Sequence, residues 1–188
     1  MRRLLSPLLR VPFGWLIVAA LAMTGTAAHA QPQYGLSPDA YAAFSKWMTT
    51  SCVGDEARTL RETLQRYRSE LAPAFRKALA EGPAAEDVRA VRAAADARYA
   101  DLARFPIREY RVEGASAQDL ARFTRTSRQT YVTDQVQRYV TGYRSNAVAG
   151  LAVVGGTAER TLLTRTAARR GDPLAPAAAE ALRTMERP

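Results

Sequence analysis

The sequence has almost no histidine and almost no cysteine, which limits the chemistry that the protein can perform. His29 and Cys52 are the only residues of their types in the 188-residue chain. Imidazole is the commonest general base and metal ligand at neutral pH, and thiolates serve as nucleophiles and zinc ligands. A disulfide framework is therefore excluded, and any chemistry that needs an imidazole depends on His29 alone.

Residues 1–30 have the pattern of a cleaved secretory signal peptide, and His29 lies inside the cleavage motif. Three arginines precede an apolar run at 11–23, and Ala28-His29-Ala30 supplies the small-x-small pattern that signal peptidase recognises. The run is shorter than the roughly twenty residues that span a bilayer, and Pro12 and Gly14 interrupt it, which argues against an uncleaved anchor. We expect general secretion in a bacterium and cleavage after Ala30. The mature protein is then periplasmic or secreted, with no imidazole and no transmembrane segment.

Cys52 is the single thiol of the mature chain. An exported protein either buries a lone thiol or pairs it with another chain. We favour a buried, inert thiol, and a covalent dimer through Cys52 stays open as the alternative. A catalytic thiolate is not expected, because no histidine activates it and the acids Asp55 and Glu56 nearby would raise its pKa.

The positive charge of the chain comes almost entirely from arginine. The net charge of +9 falls to +6 once the three arginines of the leader are removed, and Lys46 and Lys77 are the only lysines. Arginine makes planar two-point contacts with phosphate and carboxylate groups. Arg122, Arg125 and Arg128 recur every three residues and form the candidate contact for an anionic envelope polymer, an anionic lipid or a protein partner. Export argues against nucleic acid, and a solvated helix face explains the same spacing.

Apolar residues recur at helical spacing through most of the mature chain, which predicts an all-α fold. We expect a flexible start at 31–36, followed by one domain at 37–188. That domain should contain five to seven helices packed as antiparallel hairpins. Ser37-Pro38-Asp39 predicts a helix start, and Pro73 should kink or restart the helix in which it lies. Gly82-Pro83 predicts the next helix end.

The middle of the mature chain predicts two longer helices separated by an irregular passage. The first should span 84–105, and Pro106 should end it. Residues 106–115 are the least helical passage, for which we favour a loop. Helical patterning then continues to Val154, with a bend or break expected at 124–130, because threonine and serine compete there for backbone hydrogen bonds. The later part of this stretch has the longest apolar stripe in the chain, which consists of Val132, Val136, Tyr139, Tyr143, Ala147 and Leu151.

The last part of the chain has a pattern of short helices separated by tight turns. Residues 146–155 have small side chains, 157–170 form a partner helix, and 171–174 make a turn into a third helix that ends near Met185. Over about residues 146–186 this pattern resembles the HEAT-like helical repeat family, whose units pair two short alanine- and leucine-rich helices. The resemblance implies a non-catalytic surface for binding protein.

Catalysis by carboxylates is the enzymatic alternative. Arg58, Glu62, Arg66 and Glu70 recur every four residues with alternating sign, which predicts a solvated ladder of ion pairs and makes these acids poor candidates for catalysis. Glu109 and Glu113 flank the irregular passage, and they are the two acids that a hydrolase of envelope polymers would use. Our leading hypothesis is an exported binding or scaffold protein without catalysis, metal or cofactor, whose partner is another envelope protein.

Overall fold

The computed structural model describes residues 34–49, 55–104 and 126–186, and within these ranges it confirms the all-α prediction. These ranges contain seven helices and no strand: α1 (Pro38–Thr49), α2 (Asp55–Arg66), α3 (Arg68–Glu81), α4 (Ala85–Arg104), α5 (Arg128–Val154), α6 (Thr157–Ala167) and α7 (Ala175–Glu186). None of the helices in the described ranges is both long and apolar enough to cross a bilayer.

Several predicted helix ends are confirmed. Helix α1 begins at Pro38, and α3 ends at Gly82, whose φ of 81° is a conformation that glycine adopts without strain. Within the passage 124–130, where we expected a bend or break, a helix begins at Arg128, since Ser127 is extended and its hydroxyl accepts a hydrogen bond of 3.1 Å from the backbone N–H of Thr130. Residues 105–125, which precede this passage, lie outside the described residues. Ser127 therefore caps α5, which runs without interruption to Val154.

The helix does not restart at Pro73, which was one of the two outcomes expected there. The chain breaks at Tyr67, with φ −102° and ψ 22°, and Pro73 then lies inside α3. Proline removes the hydrogen bond to the carbonyl four residues before it and crowds that carbonyl. Because α3 begins only at Arg68, that carbonyl belongs to Ser69 in the first turn, where the helix tolerates the loss.

Helices α3 and α4 follow one another along α5 and run antiparallel to it. Phe75 contacts Gly150, Arg144 reaches the Ala80 carbonyl at 3.3 Å, and Asp96 binds Arg128. Along these three contacts the residue numbers rise in α3 and α4 and fall in α5. Helix α5 is therefore the common support of the fold.

The hydrophobic core lies around the C-terminal half of α5. It is built from α1, α2, α3, α6 and α7 together with α5. Among the side chains that the structure describes, it contains none of α4 and none of α5 before Tyr143. Its largest fully buried side chains are Leu64, Leu71, Phe75, Val148, Leu151 and Leu163.

Helix α4 and residues 128–142 of α5 form a two-helix extension, which we call the helical arm. Among the described helices, α4 packs extensively only against α5. At 1.5 Å per residue, α4 is about 30 Å long. The arm therefore presents a long surface that the core does not cover within the described residues.

Candidate functional site

Of the candidate site residues that the sequence indicated, the structure describes only Arg128. Cys52, Glu109, Glu113, Arg122 and Arg125 lie outside the described residues, so the predictions for them stay predictions. Arg128 begins α5, and two of its guanidinium nitrogens donate hydrogen bonds to the two carboxylate oxygens of Asp96. This contact lowers the pKa of Asp96. The charge of Arg128 is therefore already matched within the chain.

A shallow groove lies between α1 and α2. Its volume is about 540 Å³, and it is lined by Asp39, Ala42, Ala43, Lys46, Glu56, Thr59, Leu60, Thr63, Arg66 and Tyr67. Lys46 and Glu56 bridge it with an ion pair of 2.8 Å. The groove is open and its charged side chains are of both signs, so it does not select one kind of ligand.

Three tyrosines form a half-buried group where the arm joins the core, and we call Tyr34, Tyr139 and Tyr143 the tyrosine cluster. The hydroxyl oxygens of Tyr34 and Tyr143 lie 2.9 Å apart and share a hydrogen bond. The ring centroids of Tyr139 and Tyr143 are 6.4 Å apart. The ring of Tyr34 packs on Phe44 with a centroid distance of 4.8 Å, and Lys77 Nζ lies 5.8 Å from the Tyr34 centroid.

Burial keeps the tyrosine cluster protonated. It raises the pKa of all three phenols, and that of Tyr139 reaches about 12. The negative charge of Asp87 adds to the rise at each of the three. The cluster therefore offers O–H groups and ring faces at neutral pH, not a phenolate base.

Asp87 is placed beside the cluster by the antiparallel packing of α4 on α5. Arg144 lies at Gly82 and Arg128 lies at Asp96, which puts Asp87 opposite Tyr139. The Asp87 side chain is exposed to solvent, and partial desolvation of its carboxylate, followed by the neighbouring charge of Glu86, raises its pKa. Within the described ranges, no hydrogen bond or ion pair holds the Asp87 carboxylate.

The cluster was missed by sequence reasoning for two reasons. Tyr34, like the buried Leu36, lies in the segment 31–36 that we expected to be flexible, yet both pack against the core. Tyr139 and Tyr143 belong to an apolar stripe that helical spacing assigns to the core. The one signal that the sequence offers is that aromatic residues with hydroxyl groups occupy this stripe.

The described residues hold no group of three or more histidine, cysteine or acidic side chains that could bind a metal ion. Comparison of the chain with protein-family models, curated proteins and solved structures gives no significant match.

Proposed function

We propose that this chain is an exported, non-catalytic binding protein that contacts another envelope protein through the helical arm. The observation that carries the proposal is the incomplete burial of apolar side chains along the arm. Among the described side chains of the arm, only Ala95 and Val132 are buried. Half-covered aliphatic and aromatic residues on a helix pair are typical of surfaces that bind protein.

The half-buried apolar residues recur on both helices of the arm. They include Val88, Val91 and Tyr99 on α4, and Tyr131, Val136, Tyr139 and Val140 on α5. Tyr99 and Tyr131 pack together with ring centroids 5.5 Å apart, and the Tyr99 hydroxyl donates to the Thr126 carbonyl at 3.0 Å. The two helices thus hold each other in place, and their valines stay partly exposed.

The charges around these valines indicate the chemistry of the partner. Arg89, Arg92, Arg98 and Arg138 are exposed on the arm, and the described part of the chain gives none of them an ion pair. Charges at the rim of an interface steer association and select partners of opposite sign. Exposed acids balance these arginines on the same arm, namely Glu86, Asp87, Asp101 and Asp134. We therefore propose a partner whose contact surface is apolar at its centre and carries charges of both signs at its rim.

Capture of the partner from an envelope extract tests this proposal. The bait is the tagged mature chain, compared with Val140→Glu on the arm and with Ala179→Glu, a control at an exposed position of α7. We expect wild type and the control to retain the same protein and Val140→Glu to lose it, with all three baits equally helical by circular dichroism. A wild-type bait that retains no protein, or a Val140→Glu bait that retains the same one, would contradict the proposal.

The export part of the proposal has its own test. It is supported by the leader pattern at residues 1–30. Mass spectrometry of the protein recovered from the envelope fraction should show a chain that begins at Gln31. A product that still carries Met1 would contradict export by a cleaved signal.

A further inference from the structure

The helical arm is joined to the core by two stretches of backbone, and each of them contains a glycine. The first stretch is residues 82–84 between α3 and α4, where Gly82 has a φ of 81°. The second is α5 itself, which passes from the arm into the core at Gly142 and Tyr143. Because α4 packs extensively only against α5, these two connections are the main attachment of the arm to the core among the described residues.

Gly142 lies inside α5 although no close packing requires a glycine there. A β-carbon built on Gly142 would meet no atom within 4 Å, whereas one built on Gly150 of the same helix would lie 2.5 Å from the ring of Phe75. Glycine weakens a helix, because it has the most backbone freedom to lose. Helix α5 is therefore weakened at the point where it leaves the core, and packing does not account for the residue that weakens it.

The two glycines lie at about the same height along the arm. Arg144 follows shortly after Gly142, and side chains in a helix tilt toward its N-terminus, which here is the direction of the arm. The Nε atom of Arg144 would lie 3.3 Å from a β-carbon built on Gly82, and its Nη2 donates to the Ala80 carbonyl at 3.3 Å. Both connections can therefore bend at one level.

We infer that the helical arm turns as a unit about a hinge formed by Gly82 and Gly142. Hinges are a few residues, often small ones, that absorb changes in φ and ψ. The ion pair between Asp96 and Arg128 holds α4 to α5 far from the glycines, so a rotation at the hinge leaves the arm intact and changes its angle to the core. This motion changes the orientation of the arm's half-buried valines and tyrosines relative to the core.

Distances between spin labels, measured by double electron–electron resonance, test the hinge. The mature chain carries Cys52→Ser, so that labels attach only to introduced cysteines. One pair joins the arm to the core, with Ala97→Cys on α4 and Ala179→Cys on α7. A reference pair lies within the core, with Gln65→Cys on α2 and the same change on α7, and all three positions are exposed. We expect the arm–core distance distribution to be about twice as wide as that of the core pair.

A third pair tests whether the arm moves as one unit. Ala85→Cys on α4 and Gln129→Cys on α5 both lie in the arm at exposed positions. Their distance distribution should be as narrow as that of the core pair, because the hinge lies outside the span between them. A distribution as wide as that of the arm–core pair would contradict motion of the arm as a unit.

One substitution should stiffen the hinge. Gly142→Ala strengthens α5 at this point and should narrow the arm–core distribution to about the width of the core pair. Gln137→Ala is the matched control, since it places alanine at an exposed position of the same helix away from the hinge, and it should leave the width unchanged. Equal widths in wild type and Gly142→Ala, equal narrowing by the control, or a wild-type arm–core distribution no wider than the core pair would overturn the inference. The measurement contains no partner protein, so its result is independent of the capture experiment.

Discussion

The ring of Phe75 packs directly on the α-carbon of Gly150. A β-carbon built on Gly150 would lie 2.5 Å from Cε1 and Cζ of the ring, well inside the contact distance of two carbon atoms. Phe75 is fully buried, so other side chains surround its ring. Glycine at this position is what allows α3 and α5 to approach closely at the centre of the core.

Substitution of Gly150 by alanine should therefore destabilise the protein. Overpacking of a filled core costs about 1–3 kcal/mol, and urea unfolding followed by circular dichroism measures the loss. Gly142→Ala is the matched control on the same helix, because an added β-carbon there meets no atom within 4 Å. This control should gain about 0.5–1 kcal/mol from the better helix propensity of alanine. Equal effects of the two substitutions would contradict the close packing of Phe75 on Gly150.

Trp47 and Asn146 tie the end of α1 to α5. Trp47 Nε1 donates to the Asn146 carbonyl at 2.8 Å, and Asn146 Nδ2 donates to the Met48 carbonyl at 3.0 Å. Asn146→Ala should cost about 1 kcal/mol, because it leaves the Met48 carbonyl without this donor. Trp47 is the one tryptophan after the leader, so its fluorescence reports the unfolding transition. Ser145→Ala is the neighbouring control, and a similar effect of both variants would argue against the tie.

The buried phenols predict a loss of stability at alkaline pH. Burial raises the pKa of Tyr139 from 10 to about 12, so the folded chain keeps a proton that the unfolded chain releases above pH 10. The contribution to stability is complete below pH 10 and is lost as the pH rises toward 12. Tyr139→Phe should reduce this loss by on the order of 1 kcal/mol, measured by urea unfolding between pH 8 and pH 11.5. Identical pH profiles of wild type and variant would show that Tyr139 does not contribute.

The ion pair between Asp96 and Arg128 makes a prediction for the hypothesis of polyanion binding. Because Arg128 is held by Asp96, Arg128→Ala should weaken binding to heparin, used as a soluble polyanion, by less than twofold. Asp96→Asn should strengthen binding several-fold, since it removes a negative charge and frees the guanidinium for sulfate groups. Arg125→Ala should weaken binding. If heparin binding is absent in low salt, the hypothesis fails for every one of these residues.

The sequence predicted those features of the fold that depend on the local properties of one residue type. Helix ends at Pro38, Gly82 and Ser127 depend on a fixed φ, a positive φ and a hydroxyl cap, and residue type alone indicates each of them. The break at Tyr67 was not predictable, because its hydroxyl bonds Asp39 at 3.3 Å and its ring packs on the core. Those contacts join elements that are distant in the sequence.

The candidate site depended on the same kind of distant contact. Asp87 and Tyr139 are opposite one another only because α4 runs antiparallel along α5, and that register is set by pairs such as Asp96 and Arg128. Helical spacing assigned Tyr139 to a buried stripe and gave no sign that this stripe leaves the core before Tyr143. The spacing of apolar residues in α5 cannot show how far along this helix the other core helices extend.

Site-specific photocrosslinking in living cells tests the central claim, that the helical arm is the surface that binds the partner. A photoreactive amino acid is placed at Val136 or Val140 on the arm, and at Ala179 on α7 as the control. We predict that both arm positions crosslink to one and the same envelope protein and that Ala179 does not. Crosslinks at Ala179 alone, or none at the arm positions, would contradict the account.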